Sequence, residues 1–383
     1  MTAPAEGTSL RIGIIGPTRI GKTTLVNTLL RAGETAFEQT DVRMRWADHM
    51  TERKILEQRA ELEGWRLSKQ FNPGALRGTD DAFVFRFVLE TGFGGLSMRL
   101  DAMDYPGGLV NPAHRLGREA EWEECRAFIA NSTVLVVPAD AAMLMETAGD
   151  ENRHHLPAIL TTPEIEDVAR DWARNRHQHR HEPALAIVCP VRTESYFADN
   201  GGRRDRSDEL LEHVREVYRD VLKVIRAEAP ATRIHYCPVD TVGPVEFLSA
   251  RWLPDVAGGH PHFSAKYRVR RRPDGHPPEI STAGIDDVLV LLARHLIDLR
   301  HRELDVTARH HRTSANDWAA QAVQDLGAMR NVWNTVSGKR RKARRMAEAK
   351  RLEAVSAEEQ VSGLAGQLLR LAELGLGPRH REL

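Results

Sequence analysis

Cysteine is scarce: Cys125, Cys189 and Cys237 are the only three in 383 residues. Their odd number and wide spacing argue against a disulfide framework or a zinc knuckle and point to a reducing compartment. Net charge is also missing. Lysine plus arginine number 54, as do aspartate plus glutamate, so no field spread over the whole surface recommends a nucleic acid or a membrane as partner. No stretch approaches the roughly 18 apolar residues of a bilayer-crossing helix, and residues 1–9 are polar and lack the apolar core of a signal peptide. A cytoplasmic protein without a transmembrane segment is expected. The length suits two domains, or one large domain with an appendage.

What is present starts with Gly16-Pro17-Thr18-Arg19-Ile20-Gly21-Lys22-Thr23, which fits G-x-x-x-x-G-K-[ST]. Leu10, Ile12, Ile14 and Ile15 before it read as a buried strand, and residues 24–30 after it as the first turns of an amphipathic helix. A loop so placed is a phosphate cradle. Gly16 and Gly21 let the backbone turn with its N–H groups inward, and the positive end of the following helix adds to the pull on an anion. Lys22 would reach the terminal phosphates and Thr23 would place its hydroxyl on magnesium. Thr18, Arg19, Ile20, Gly21, Lys22, Thr23 and Thr24 are the candidate nucleotide-binding residues.

Residues 41–70 are charged and rich in helix formers and read as a helical insertion. Residues 83–89 and 96–103 then read as two strands joined by a glycine turn at 92–95, and strands so joined run antiparallel. Asp104-Tyr105-Pro106-Gly107 follows at once. A carboxylate at a strand end beside the cradle would hold magnesium, and the Gly107 N–H would bond the terminal phosphate and sense its loss. Read alone, the same four residues are ordinary turn chemistry. Thr79, just before the hairpin, is a candidate second hydroxyl ligand for the ion, and equally an unremarkable strand-entry threonine.

Farther on, 133–137 and 184–189 read as buried strands, with a helical insertion at about 140–182 between them. A helix spans 207–229, a last strand 233–239 and a closing helix 285–299. Strands alternating with helices predict an α/β fold: a doubly wound, mostly parallel sheet with one antiparallel strand, helices on both faces, and its ligand at the carboxyl ends of the strands.

Together, residues 16–23, Thr79, the hairpin and residues 104–107 resemble the translation-factor-related class of P-loop GTPases. The entry at Gly78-Thr79 and the Asp-Tyr-Pro-Gly turn are similar to large bacterial GTPases of the YcjX-like and double-GTPase groups. The resemblance covers residues 9 to about 300. It implies a magnesium-dependent GTPase that alternates between GTP and GDP as a molecular switch, with Lys22, Thr79 and Gly107 serving catalysis and Thr23, Thr79 and Asp104 holding the ion. Two departures stand out. The base-reading N/T-K-x-D falls in register with Val191-Arg192-Thr193-Glu194, where Arg192 would stack on the base and Glu194 would accept its hydrogens. A second purine-loop element falls near Asp240-Thr241-Val242-Gly243. Relatives often place a water-orienting glutamine where this chain has Gly108, so slow turnover is expected unless a partner or a second subunit assists, or Arg19 does so in cis. An ATPase, or a nucleotide-dependent scaffold with negligible turnover, are the alternatives.

Other features are weaker. His177, His179 and His181 would share a face on an extended segment and hold zinc, but arginines flank them and a solvated connector is the better reading. Residues 254–278 form a basic loop or edge hairpin with Lys266, Arg268, Arg270, Arg271 and Arg272. From about 301 to 383 the composition shifts to a helical, partly basic extension. There, an apolar stripe from Trp318 to Val336 and the basic run 339–345 either pack back on the domain or form an arm. Such an arm would serve oligomerisation, a protein effector, a nucleic acid or an anionic lipid surface.

Overall fold

A computed structural model of the chain describes residues 9–38, 42–67, 70–71, 81–91, 97–199, 204–241, 243, 245–253, 262–270, 282–299, 301–302, 368 and 370–383. Thr79, the turn at 92–95, Val242, the stripe and basic run of the extension, and much of the 254–278 loop lie outside these residues.

Strand Ser9–Ile14 (β1) leads into helix Lys22–Glu38 (α1), strand Val42–Trp46 (β2), helix His49–Leu67 (α2) and the short strand Gln70–Phe71 (β3). The hairpin strands Phe83–Thr91 (β4) and Ser97–Asp104 (β5) precede helix Glu119–Ala130 (α3) and strand Val134–Asp140 (β6). Helices Ala141–Glu146 (α4), Leu156–Ile159 (α5) and Thr162–Gln178 (α6) lead to strand Leu185–Val191 (β7). Helices Ser207–Val217 (α7) and Arg219–Glu228 (α8) precede strands Arg233–Tyr236 (β8), Val245–Leu253 (β9) and His262–Val269 (β10). A helix over 285–299 (α9) and strand Arg381–Glu382 (β11) complete the order.

The main sheet runs β11-β8-β7-β6-β1-β5-β4-β2. β6 and β7 are buried along their whole length because each strand feeds two cores. Leu135, Val137, Ala186 and Val188 face α3 through α8, while Val134, Val136, Leu185 and Ile187 face α1, α2 and α9. Helices on both faces of a mostly parallel sheet make this an α/β protein. No helix among the described residues is long and apolar enough to cross a membrane.

Several expectations are corrected. Residues 41–70 are not wholly helical: Val42, Met44 and Trp46 alternate with Arg43 and Arg45, and β2 pairs antiparallel with β4 at the sheet edge. Two strands, not one, run against the rest: β4 beside β5, and β11 beside β8. Of the two readings of the basic 254–278 region the hairpin holds, since β10 pairs antiparallel with β9, but β10 lies in the middle of a second sheet, β3-β10-β9, with Tyr267 and Val269 buried. Tyr218 divides the 207–229 helix in two, with ψ at 17°. His177 lies inside α6, and His179 Nδ1 is 2.9 Å from the Asn175 carbonyl, so no extended histidine face forms.

The described end of the extension returns to the body. Leu368, Leu371 and Ala372 join the α9 core. The Gly377 N–H donates to Asp287 Oδ1 at 2.5 Å, and β11 pairs with β8, Arg381 opposite Tyr236.

Candidate functional site

Strand ends converge on one rim of the sheet. β1 lies between β5 and β6, parallel to both, with Gly13 opposite Met103 and Ile14 opposite Val136. β7 lies beside β6, with Val191 opposite Asp140. This register gathers the loop after β1, the turn after β5, Asp140 and Arg192 at the carboxyl ends of neighbouring strands, where open α/β sheets bind ligands.

The Ile15 N–H makes the last sheet bond, to Val136 O at 2.9 Å. The chain then turns through left-handed backbone at Arg19 (φ 63°) and Gly21 (φ 101°) before α1 begins at Lys22. The first turn of α1 carries no acidic side chain, so nothing of its own offsets the positive end of the helix. Thr18 and Arg19 are exposed, Ile20 is buried against Gly16, and Gly21, Thr23 and Thr24 are half-buried.

Lys22 is buried. Its Nζ donates to Gly16 O at 2.9 Å and to Pro17 O at 3.0 Å, and lies 4.8 Å from the centre of the Tyr105 ring. Burial pulls its pKa down to about 8, partly opposed by the Asp104 carboxylate. The Thr23 hydroxyl donates to Asp104 Oδ2 at 2.5 Å across 81 residues of sequence. A hydroxyl and a carboxylate are hard oxygen donors, and magnesium typically takes one or two of these from protein and the rest from water and phosphate. This donor set therefore fits the ion. Among the described residues, no group of three or more His, Cys, Asp or Glu gathers to hold a metal.

The turn after β5 is fastened to the loop. The Gly16 N–H donates to the Tyr105 hydroxyl at 3.0 Å, and burial lifts the phenol pKa far above its ordinary value. A side chain at Gly107 would meet Thr18 N at 2.3 Å and Pro17 C at 2.4 Å, so backbone lies on backbone there. Tyr105→Phe would leave a buried N–H without its acceptor, which costs about 1–3 kcal/mol. A lower melting temperature for that variant, followed by thermal unfolding, is the expected result.

On the other side of the loop, the sequence reading placed Arg192 and Glu194 on a base. In the structure they hold protein groups. The Arg192 guanidinium pairs with Asp140 and makes a long contact of 3.5 Å to Arg19 O. Glu194 is fully buried, and its Oε1 accepts the N–H groups of Thr241 at 3.0 Å and Gly243 at 3.2 Å. The two segments expected to flank a purine are thus brought together. Among the described residues, Arg19, Thr161 and Arg192 are the non-glycine residues with positive φ. Two of these three meet at this site, and such backbone costs about 1–3 kcal/mol each and persists where its surroundings enforce it.

Three further residues complete the site. Asp140 caps α4, accepting from the Met143 N–H at 3.1 Å, and neutralises Arg192; its signal in the sequence is an acid three residues past the buried run 133–137. Tyr105 lay inside the four-residue turn already singled out. Arg379 contacts Asp240 from 139 residues away, and nothing near it in sequence marks it. Comparison with protein-family models and with curated proteins returned no match.

Proposed function

We propose that the protein binds a purine nucleoside triphosphate with magnesium on residues 16–24 and hydrolyses it slowly, as a cytoplasmic nucleotide-dependent switch akin to the translation-factor-related P-loop GTPases. The Thr23 to Asp104 contact carries this reading, because it sets a hydroxyl from the first turn of α1 and a carboxylate from the end of β5 beside a buried ammonium group. Thr23 and Asp104 would hold magnesium, and the ion would supply charge neutralisation for the phosphates. Lys22 and the amides at the start of α1 would hold the phosphates. The packing of Gly107 on Pro17 and Thr18 supports its coupling to the phosphate loop. The three cysteines are unpaired and buried, in keeping with a reducing compartment.

GTP is the favoured nucleotide. Glu194 Oε1 is engaged by the Thr241 and Gly243 N–H groups, so it orders the two loops that would flank the base, and the guanine preference is carried by the resemblance to the GTPase class. Thr79 remains the candidate second ligand of the ion. Turnover is proposed to be slow because Gly108 has no side chain to orient a water and the Arg19 side chain is exposed. That same observation favours a second reading, a nucleotide-binding scaffold with negligible hydrolysis, and an activating partner or second subunit distinguishes the two by raising the rate.

The test is calorimetric titration of folded protein with GTP and ATP, with magnesium and with EDTA, alongside phosphate release. Saturable, magnesium-dependent binding of GTP is expected. Asp104→Asn should weaken binding about 10- to 150-fold with magnesium, the worth of a charged hydrogen-bonding partner, and little in EDTA. Absence of saturation by any purine triphosphate would refute the proposal, and preference for ATP would refute the guanine assignment.

A further inference from the structure

Arg379 arrives on the returning segment 370–383 and is almost wholly buried, with 4% of its side chain exposed. Its Nη1 and Nη2 donate to Asp240 Oδ1 at 3.0 Å and Oδ2 at 3.1 Å, and its Nε donates to Asp199 Oδ2 at 2.8 Å. The guanidinium carbon stands 4.2 Å from the centre of the Phe197 ring. Its partners belong to different loops. Asp199 and Phe197 lie in the segment that carries Arg192 and Glu194 from the end of β7. Asp240 lies after β8 and directly precedes Thr241, whose N–H binds Glu194. Thr193 adds a direct tie, its hydroxyl donating to Asp240 Oδ1 at 2.6 Å.

A planar fork of five N–H donors suits this task, since it holds two carboxylates in one plane where an ammonium would make only point contacts. Asp240 is fully buried and the guanidinium is its ionic partner, and removing one member of a buried pair leaves the other uncompensated. The segment that delivers Arg379 is anchored independently of it. The Arg294 guanidinium donates to Ala372 O at 2.9 Å, Gly377 binds Asp287, and His235 Nδ1 lies 2.8 Å from His380 Nε2.

We infer that Arg379 is a positioning residue for base recognition: it clamps the 192–199 loop to the loop after β8 so that Glu194 and its neighbours keep the geometry a purine requires. The inference rests on the nucleotide reading above. It assigns to a segment far along the chain an effect, through the two loops, on how tightly the base is held, while the phosphate cradle is left to residues 16–24.

The experiment compares GTP with inorganic tripolyphosphate, a probe that carries the phosphates and no base, by titration against the full chain. For Arg379→Gln, GTP affinity is expected to fall tenfold or more, with tripolyphosphate affinity within about twofold of wild type. Arg379→Lys should recover only part of the loss. Asp199→Asn removes the outer partner, whose side chain is 51% exposed, and should weaken GTP several-fold even if Arg379→Gln does not fold. Equal loss of both probes, or no loss of either in the Asp199 and Arg379 variants, overturns the inference. Wild-type protein that binds neither probe overturns the nucleotide reading itself, and the inference falls with it.

Discussion

Lys22→Met is expected to weaken triphosphate binding by about 10²-fold or more while leaving the unliganded protein nearly as stable as wild type. The first half follows from charge: an ammonium lost from a phosphate site removes several charge-assisted hydrogen bonds, each worth about 1.5–3 kcal/mol. The second half follows from burial, which lowers the Lys22 pKa from 10.5 to about 8. A lysine depressed in the folded state destabilises the fold wherever the unfolded chain holds a proton more readily. That cost is fully present below pH 8 and is relieved as the pH rises from about 8 toward 10.5. It is of order 3 kcal/mol, against which the variant loses the bonds to Gly16 O and Pro17 O. The two effects nearly cancel at neutral pH. Chemical denaturation between pH 7 and 10 checks this, since wild type should gain stability relative to Lys22→Met through that window. A constant difference between the two would remove burial of the charge as the explanation.

Gly107→Ala should produce the largest fall in stability at the site. The new methyl carbon would lie 2.3 Å from Thr18 N, 2.4 Å from Pro17 C and 2.5 Å from Pro17 O. All three are backbone atoms, so no side chain can swing aside. The turn cannot retreat either. Leu109 and Val110 are buried beneath it, the Leu109 N–H is bonded to Pro106 O at 2.9 Å, and Arg115 Nε donates to Leu109 O at 2.6 Å. Overpacking of this kind costs about 1–3 kcal/mol and more where backbone must move, a melting shift of several degrees. Gly64→Ala is the control. Nothing lies within 4 Å of a side chain placed there in α2, and replacing a helical glycine gains up to about 1 kcal/mol. Scanning calorimetry of the two variants should therefore give shifts of opposite sign.

Local chemistry made the loop at 16–23, the β4–β5 hairpin and the parallel strands legible, because each is written in a run of neighbouring residues. The alternation that makes β2 was also present, in Val42, Met44 and Trp46, but it merged with the charged helix behind it when read as one insertion. β11 has two residues, too few for any periodicity. In the loop after β7, Arg192 and Glu194 stand out in the sequence and their partners do not, because Asp140 lies 52 residues from Arg192 and Thr241 lies 47 from Glu194. The clamp by Arg379 spans 180 residues to Asp199. Side chains that act by bridging distant loops leave no pattern in the neighbourhood of any one of them.

The pairing of β11 with β8 also fixes an order of events during synthesis. His235 and His380, which meet at this edge, are 145 residues apart. A nascent chain that has released residues 9–299 from the ribosome displays β8 as an open border, with backbone donors and acceptors facing outward and ready to pair with another polypeptide. Closure of so long a loop is slow compared with forming the hairpin and the helices around it. Until residues 381–382 dock on β8, the protein is exposed to aggregation at that border.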